Sequence, residues 1–285
     1  VFGEDFRYED YKHIFKAELF DADAWAELFK RSGAKYVVFT SKHHDGYCMY
    51  DSRYAKGWSS ATTAPQRDFC KELTDAVRKR DMKMCMYYSL TEWTNPLYRW
   101  TVDTLKSIDE YVEKHLHPQF KEMVDMFSPS LVFSDGDWDF DYKTFKSDEL
   151  VSYYFDKVGE EAIVNDRWGG GFDYGYVTPE YSEAIKQTER PWAECRGLSR
   201  SFGLNRNADL ESYLTSEELI RHFVRLVAAG GGLTINVGPA ADGSIPLLQQ
   251  ERLSDLGQWL EINGEAIYGC TTFTKSEESY DVLLP

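Results

Sequence analysis

The sequence predicts an α/β fold, a (β/α)8-like barrel of the TIM type, on three observations. Amphipathic helical stretches alternate with short apolar runs along the chain, the pattern of strands buried beneath covering helices. The apolar runs end in polar and charged residues, which is the face on which a barrel of parallel strands carries its reactive groups. No glycine-rich dinucleotide fingerprint and no phosphate-binding GxxxxGK loop follows any run, which sets the doubly wound alternative aside. A chain of 285 residues suits one such unit or two smaller ones.

The elements follow in order. Asp21-Ala22-Asp23 caps a helix with Trp25, Leu28 and Phe29 on one face, and Ser32-Gly33 ends it. Residues 35–40 then read as a strand leading into Ser41-Lys42-His43-His44-Asp45-Gly46. Residues 68–80 predict a helix with Leu73, Ala76 and Val77 inward, and 82–89 a strand ending in Tyr87-Tyr88-Ser89 ahead of Glu92-Trp93. Across 103–127 the apolar residues keep near-helical spacing, but Pro118, which lacks an N–H, is expected to kink or split that helix. A strand then runs into Ser134-Asp135-Gly136-Asp137-Trp138. A helix near 147–157 precedes a strand in 161–168, and the Gly-rich, polar residues 169–190 read as a long loop. The last unit is a helix at 216–229 followed by a strand in 230–239.

Composition narrows the function. A net charge of −16 repels phosphate backbones, so nucleic acid is not an expected partner. No apolar stretch approaches the roughly 18 residues that span a bilayer, and the first residues carry neither a basic nor an apolar signal region, so neither a membrane anchor nor a signal peptide is expected. Cys48, Cys70, Cys85, Cys195 and Cys270 are scattered without zinc spacing, which indicates neither a disulfide framework nor a structural metal. His43-His44 beside Asp45 invites a metal reading. Adjacent side chains on a strand point to opposite faces, however, so no metal and no cofactor is expected. Aromatic residues make 15% of the chain, and those at strand ends are placed to meet sugar faces, although most aromatic rings serve the core.

Asp135 follows its strand directly, so its carboxylate belongs at the strand's C-terminal rim. The ordinary alternative is a turn or cap aspartate. Its company argues for a site, because a barrel would gather His43, His44, Asp45, Tyr88, Trp93, Asn165, Arg167 and Trp168 around one pocket. Two glutamates set among aromatic residues are candidate partners with raised pKa: Glu180 in Thr178-Pro179-Glu180-Tyr181 and Glu194 in Trp192-Ala193-Glu194-Cys195-Arg196-Gly197. An ion pair with Arg196 or Arg167 is the plainer reading of Glu194, and a solvated loop that of Glu180.

A set of motifs in register resembles the α-L-fucosidases of glycoside hydrolase family 29 along nearly the whole chain. They are Lys35-Tyr36-Val37-Val38 through Lys42-His43-His44-Asp45-Gly46, Arg67-Asp68, Tyr87-Tyr88-Ser89, Ser134-Asp135-Gly136-Asp137-Trp138, Val164-Asn165-Asp166-Arg167-Trp168, Arg196-Gly197 with Ser201-Phe202-Gly203, Asn236-Val237-Gly238-Pro239 through Asp242-Gly243, and 263–269. The resemblance implies an exo-acting, retaining hydrolase that releases terminal fucose from fucosylated glycans, with Asp135 as nucleophile and Glu180 as acid/base, Glu194 being the alternative. It implies a fucose pocket lined by His43, His44, Tyr88, Arg167 and Phe202 with Trp138 and Trp192 as walls; Tyr87 exchanges with Tyr88 if the strand faces the other way. A fucose-binding module without catalysis, or a hydrolase of a substituted fucoside such as a sulfated one, is the competing reading. The family typically begins its barrel with a strand ending in His-Trp-Gly and is typically secreted, periplasmic or lysosomal. By resemblance, therefore, residues 1–269 are expected to be a catalytic barrel lacking its first strand, and 270–285 the start of a connection to a β-sandwich.

Overall fold

In a computed structural model the structure describes residues 3–98, 107–182 and 189–272. The chain divides into two compact units, the first comprising Val1–Ala26, Lys35–Gly175 and Ala241–Gly243, the second Glu27–Ala34, Tyr176–Ala240 and Ser244–Pro285. Both are α/β, with parallel strands and intervening helices.

Helix α1, Ala22–Arg31, starts where Asp21 accepts the Ala24 N–H at 3.0 Å, as its cap position predicts. The first unit holds strands β1 (Tyr36–Lys42), β2 (Lys83–Ser89), β3 (Leu131–Asp135) and β4 (Ile163–Val164), paired in parallel in the order β1-β2-β3-β4. Register sets Val38 opposite Cys85 and Ser89 opposite Asp135, so the ends of neighbouring strands reach the same level. Helices α2 (Phe69–Arg78), α3 (His117–Phe127) and α4 (Ser147–Val158) connect successive strands. Their inward faces, with Leu73 and Val77, Phe120 and Met123, and Leu150 and Tyr154, are buried.

Part of the expected helix, residues 103–106, lies outside the described residues. The remainder is interrupted as Pro118 predicts. A π-helical turn at Val112–Leu116 leads into α3, where Pro118 takes one of the first two positions. β4 is shorter than expected because the Asn165 side chain takes over from the backbone. Its Oδ1 accepts the Ser134 N–H and its Nδ2 donates to the Ser134 carbonyl, both at 2.9 Å.

The second unit holds β5 (Ala193–Gly197) parallel to β6 (Gly232–Asn236), with α5 (Ser216–Ala228) between them and α6 (Leu247–Asn263) after. The capping box of Thr215 with Glu218 starts α5. Leu198, Leu219, Leu256 and Leu260 form the core of this unit, with Ile235 and Phe223 packed against it. β5 and α6 were not foreseen. β5 carries Glu194 and Arg196 within five residues, which hides its strand character. In the expected loop 169–190, residues 183–188 lie outside the described residues, and residues 177–180 pair with the edge of β5, Val177 against Trp192 and Glu180 against Cys195. Most of the expected connection 270–285 also lies outside the described residues. No helix among the described residues is long and apolar enough to cross a membrane.

Candidate active site

The first unit builds its site from the C-terminal ends of β1, β2 and β3. Asp135 closes β3, and both of its carboxylate oxygens have donors. Oδ2 accepts the Tyr87 hydroxyl at 2.6 Å and Oδ1 accepts from an Arg167 terminal nitrogen at 3.2 Å. Beneath them the Phe133 ring stacks on Tyr87 at 5.8 Å and lies 5.3 Å from the Arg167 guanidinium carbon. The turn after β1 supplies the two imidazoles. The His43 ring is parallel to Tyr87 at 5.5 Å, whereas His44 bonds to Ser89 Oγ through Nδ1 at 2.7 Å and brings Nε2 to 3.6 Å from Asp135 Oδ2. Trp93 and Trp138, 46% and 57% exposed, flank His44 at ring distances of 5.0 and 5.1 Å. Two imidazoles, a guanidinium and a phenol thus converge on one carboxylate beside open aromatic faces, an arrangement suited to clamping ring hydroxyls while the carboxylate meets an electrophilic carbon.

Tyr88 must be corrected. It is fully buried on the opposite face of β2, donates to Gln119 Oε1 at 2.8 Å and packs its ring against Phe120. The strand alternates facing, so Tyr87 takes the position beside Asp135.

Burial pushes the His44 imidazole down to about 4, with His43 and Lys42 adding to the effect against Asp135; burial lowers His43 too. Asp137 is raised, by burial first and then by Asp135. For His44 the consequence is directional. The unfolded chain takes up a proton below about 6.5 and the folded chain only near 4, so the neutral ring draws on stability that is whole above 6.5 and falls progressively down to about 4. Its imidazole resonance is expected to titrate near pH 4 in a proton NMR series, and a midpoint near 6.5 would contradict this environment.

The second unit carries Glu180, Glu194, Trp192 and Phe202. Glu180 is exposed and lies on the segment paired with β5. The next residue, Tyr181, accepts the Gly197 N–H on its hydroxyl at 3.1 Å and meets the Phe202 ring at 5.1 Å. Glu194 is wholly buried, with both oxygens 3.0 and 3.1 Å from His222 Nε2 and Oε1 3.5 Å from Arg196, so the ion-pair reading describes it. Trp192 is 8% exposed and packs on Gly231, where a Cβ would come within 2.4 Å of the indole. It therefore serves the packing of its own unit rather than an open wall. His222 and Phe133 carry no mark in the sequence, since only long-range pairing brings them to these positions. Among the described residues no group of three or more His, Cys, Asp or Glu is placed to hold a metal.

A family model described as alpha-L-fucosidase matches residues 1–265. The chain is 37% identical over 292 residues to an alpha-L-fucosidase of Dictyostelium discoideum, covering 99% of this chain and 63% of that protein. It is 35% identical over 285 residues to a plasma alpha-L-fucosidase of Homo sapiens, covering 96% and 60%. Among solved structures, a Thermotoga maritima alpha-fucosidase in complex with fucose superposes with a TM-score of 0.83 at 36% identity, over 96% of this chain and 63% of that one. Isoenzyme 1 from Paenibacillus thiaminolyticus superposes at 0.86 with 28% identity, over 94% and 70%. The chain spans about three fifths of the length of the curated relatives it matches.

Proposed function

The chain belongs to the alpha-L-fucosidase family, and from that premise we propose that it is the catalytic part of an exo-acting, retaining α-L-fucosidase built on a (β/α) barrel. The barrel reading is supported by parallel pairing in both units with a helix between successive strands. The observation that carries the activity is the carboxylate of Asp135, held at a strand end by donors on both oxygens.

In this mechanism Asp135 attacks the anomeric carbon of a terminal α-fucoside, forming a β-linked fucosyl ester as the glycosidic bond breaks. An acid, which we assign to Glu180 on its sequence motif, delivers its proton to the departing oxygen. It then takes a proton from the water that cleaves the ester, so the released sugar retains the α configuration. Tyr87, Arg167 and His44 orient the nucleophile, and His43 and the neutral His44 suit the ring hydroxyls. No cofactor or metal enters these steps. The substrate class is a fucosylated oligosaccharide or glycan, and we place the protein outside the cytosol, secreted or lysosomal. A relative named as a plasma enzyme supports that location.

The test is hydrolysis of an aryl α-L-fucoside in the presence of a chelator, followed by proton NMR. Free α-L-fucose is expected first, with later conversion to the β anomer. Fucose binding without release would support the lectin-like reading, and β-fucose first would replace double displacement by inversion.

Tyr87→Phe removes a hydrogen bond to a charged group, worth about 1.5–3 kcal/mol, and is expected to lower kcat/KM by roughly 10- to 100-fold. Tyr88→Phe should cost mainly stability. A larger activity loss at Tyr88 than at Tyr87 would reverse the facing of β2.

A further inference from the structure

Behind the histidine turn lies a buried ion cluster that the proposed mechanism does not use. Lys42 is wholly buried, and its Nζ donates to Glu92 Oε1 at 2.7 Å and Gln119 Oε1 at 3.1 Å while standing 4.1 Å from the centre of the Tyr88 ring. Glu92 also meets His115 Nε2 at 2.7 Å and accepts from Asn95 Nδ2 at 3.0 Å. Burial alone would raise the Glu92 carboxyl; Lys42 and His115 outweigh it and hold it at about 2. His115 is carried by the π-helical turn, an irregularity that recurs where a helix must aim a side chain at a functional position.

We propose that Glu92 is a positioning residue for His44 and Trp93, its carboxylate being the seat of the turn 43–46. Three contacts tie the two together. The Trp93 N–H donates to the His44 carbonyl at 2.7 Å and Thr94 Oγ1 to the Asp45 carbonyl at 2.7 Å. Gly46, with φ +77°, lies so close that a Cβ there would sit 3.0 Å from Glu92 Oε2. Lys42 is two residues before His44 and Glu92 immediately precedes Trp93, so the ion pair joins the ends of β1 and β2 at the base of the pair of rings that stand 5.0 Å apart. Stability does not account for this arrangement, because a buried ion pair gains little over apolar residues of the same volume. What it supplies is a single geometry. The inference rests on the fucosidase reading for its consequence in turnover, but not for its consequence in the placement of His44.

The experiment uses Lys42→Met with Glu92→Leu in the full chain, which removes both charges and keeps the volume. Three quantities are read: the melting temperature, the ring-current shift that Trp93 and Trp138 impose on the His44 imidazole proton, and the affinity for L-fucose with kcat and KM on an aryl α-L-fucoside. Expected are a single cooperative melt at a somewhat lower temperature, since His115 and Asn95 lose their acceptor, with collapse of the His44 shift and a loss of about 30-fold in fucose affinity and kcat/KM. Retention of the shift and the affinity would overturn the proposal and leave the cluster a packing device. If the double variant fails to fold, Glu92→Asp decides. It keeps the charge but withdraws the carboxylate from Gly46 by one methylene, and an unchanged His44 shift in it overturns the proposal. A wild type that binds fucose without releasing it would refute the hydrolase reading alone, since the shift and the affinity still report on positioning.

Discussion

Replacing Asp135 with glycine is expected to abolish turnover, lowering kcat by about 10⁴-fold or more, as removal of a nucleophile does in other covalent mechanisms. The Tyr87 hydroxyl and the Arg167 guanidinium that now meet the carboxylate oxygens at 2.6 and 3.2 Å remain as donors around the vacated space. A small anion can occupy it. Azide should therefore restore release of the aryl group and enter from the face that Asp135 used, giving β-fucosyl azide, identifiable by its anomeric coupling in NMR. Turnover like that of the wild type without azide would remove Asp135 from the mechanism.

The second large effect is expected at Glu180. An acid catalyst matters most for a poor leaving group, so Glu180→Ala should cripple release of a sugar alcohol while the fucosyl-enzyme still forms from an aryl fucoside with an acidic phenol. Loss of the same residue as base then makes the second step slow, and azide, needing no base, should accelerate it and give α-fucosyl azide. The opposite anomers from the Asp135 and Glu180 variants make the two roles separable in one assay. Glu194→Ala should behave differently. It leaves Arg196 and His222 facing a wholly buried gap, and breaking a buried charge pair costs about 3–5 kcal/mol, so stability and all substrates should suffer alike. If Glu194→Ala showed the selective signature and Glu180→Ala the uniform one, the acid/base assignment would pass to Glu194.

How far the sequence could be read depended on how local each signal was. The apolar runs that became β1, β2 and β3 were legible because each is bounded by helix ends and polar turns within a few residues. Pro118 announced its interruption through a property of one residue. Asp135, His43, His44 and Arg167 were found as strand-end residues, and the structure brings these four together in one unit. The facing of Tyr87 and Tyr88 was not readable, since a one-residue change exchanges the two faces of a strand and both faces of β2 carry aromatic rings. α6 keeps Leu253, Leu256 and Leu260 at helical spacing, a local signal that the sequence does carry. The Glu194–His222 contact and the Lys42–Glu92–His115 cluster join residues 28, 50 and 23 positions apart, and no local pattern encodes such partners.

The Lys42–Glu92 pair also shapes how this protein can change over generations. Replacing Glu92 alone strands the Lys42 charge with almost no solvent contact, so a change at either position is felt at the other. Gly46 closes the third side, because a side chain there presses on Glu92. Trp93 and Trp138 are exposed, so single replacements there carry no such penalty. A library that varies residues 42, 46 and 92 one position at a time should recover few folded clones; one that varies them jointly has access to turns that single steps do not reach.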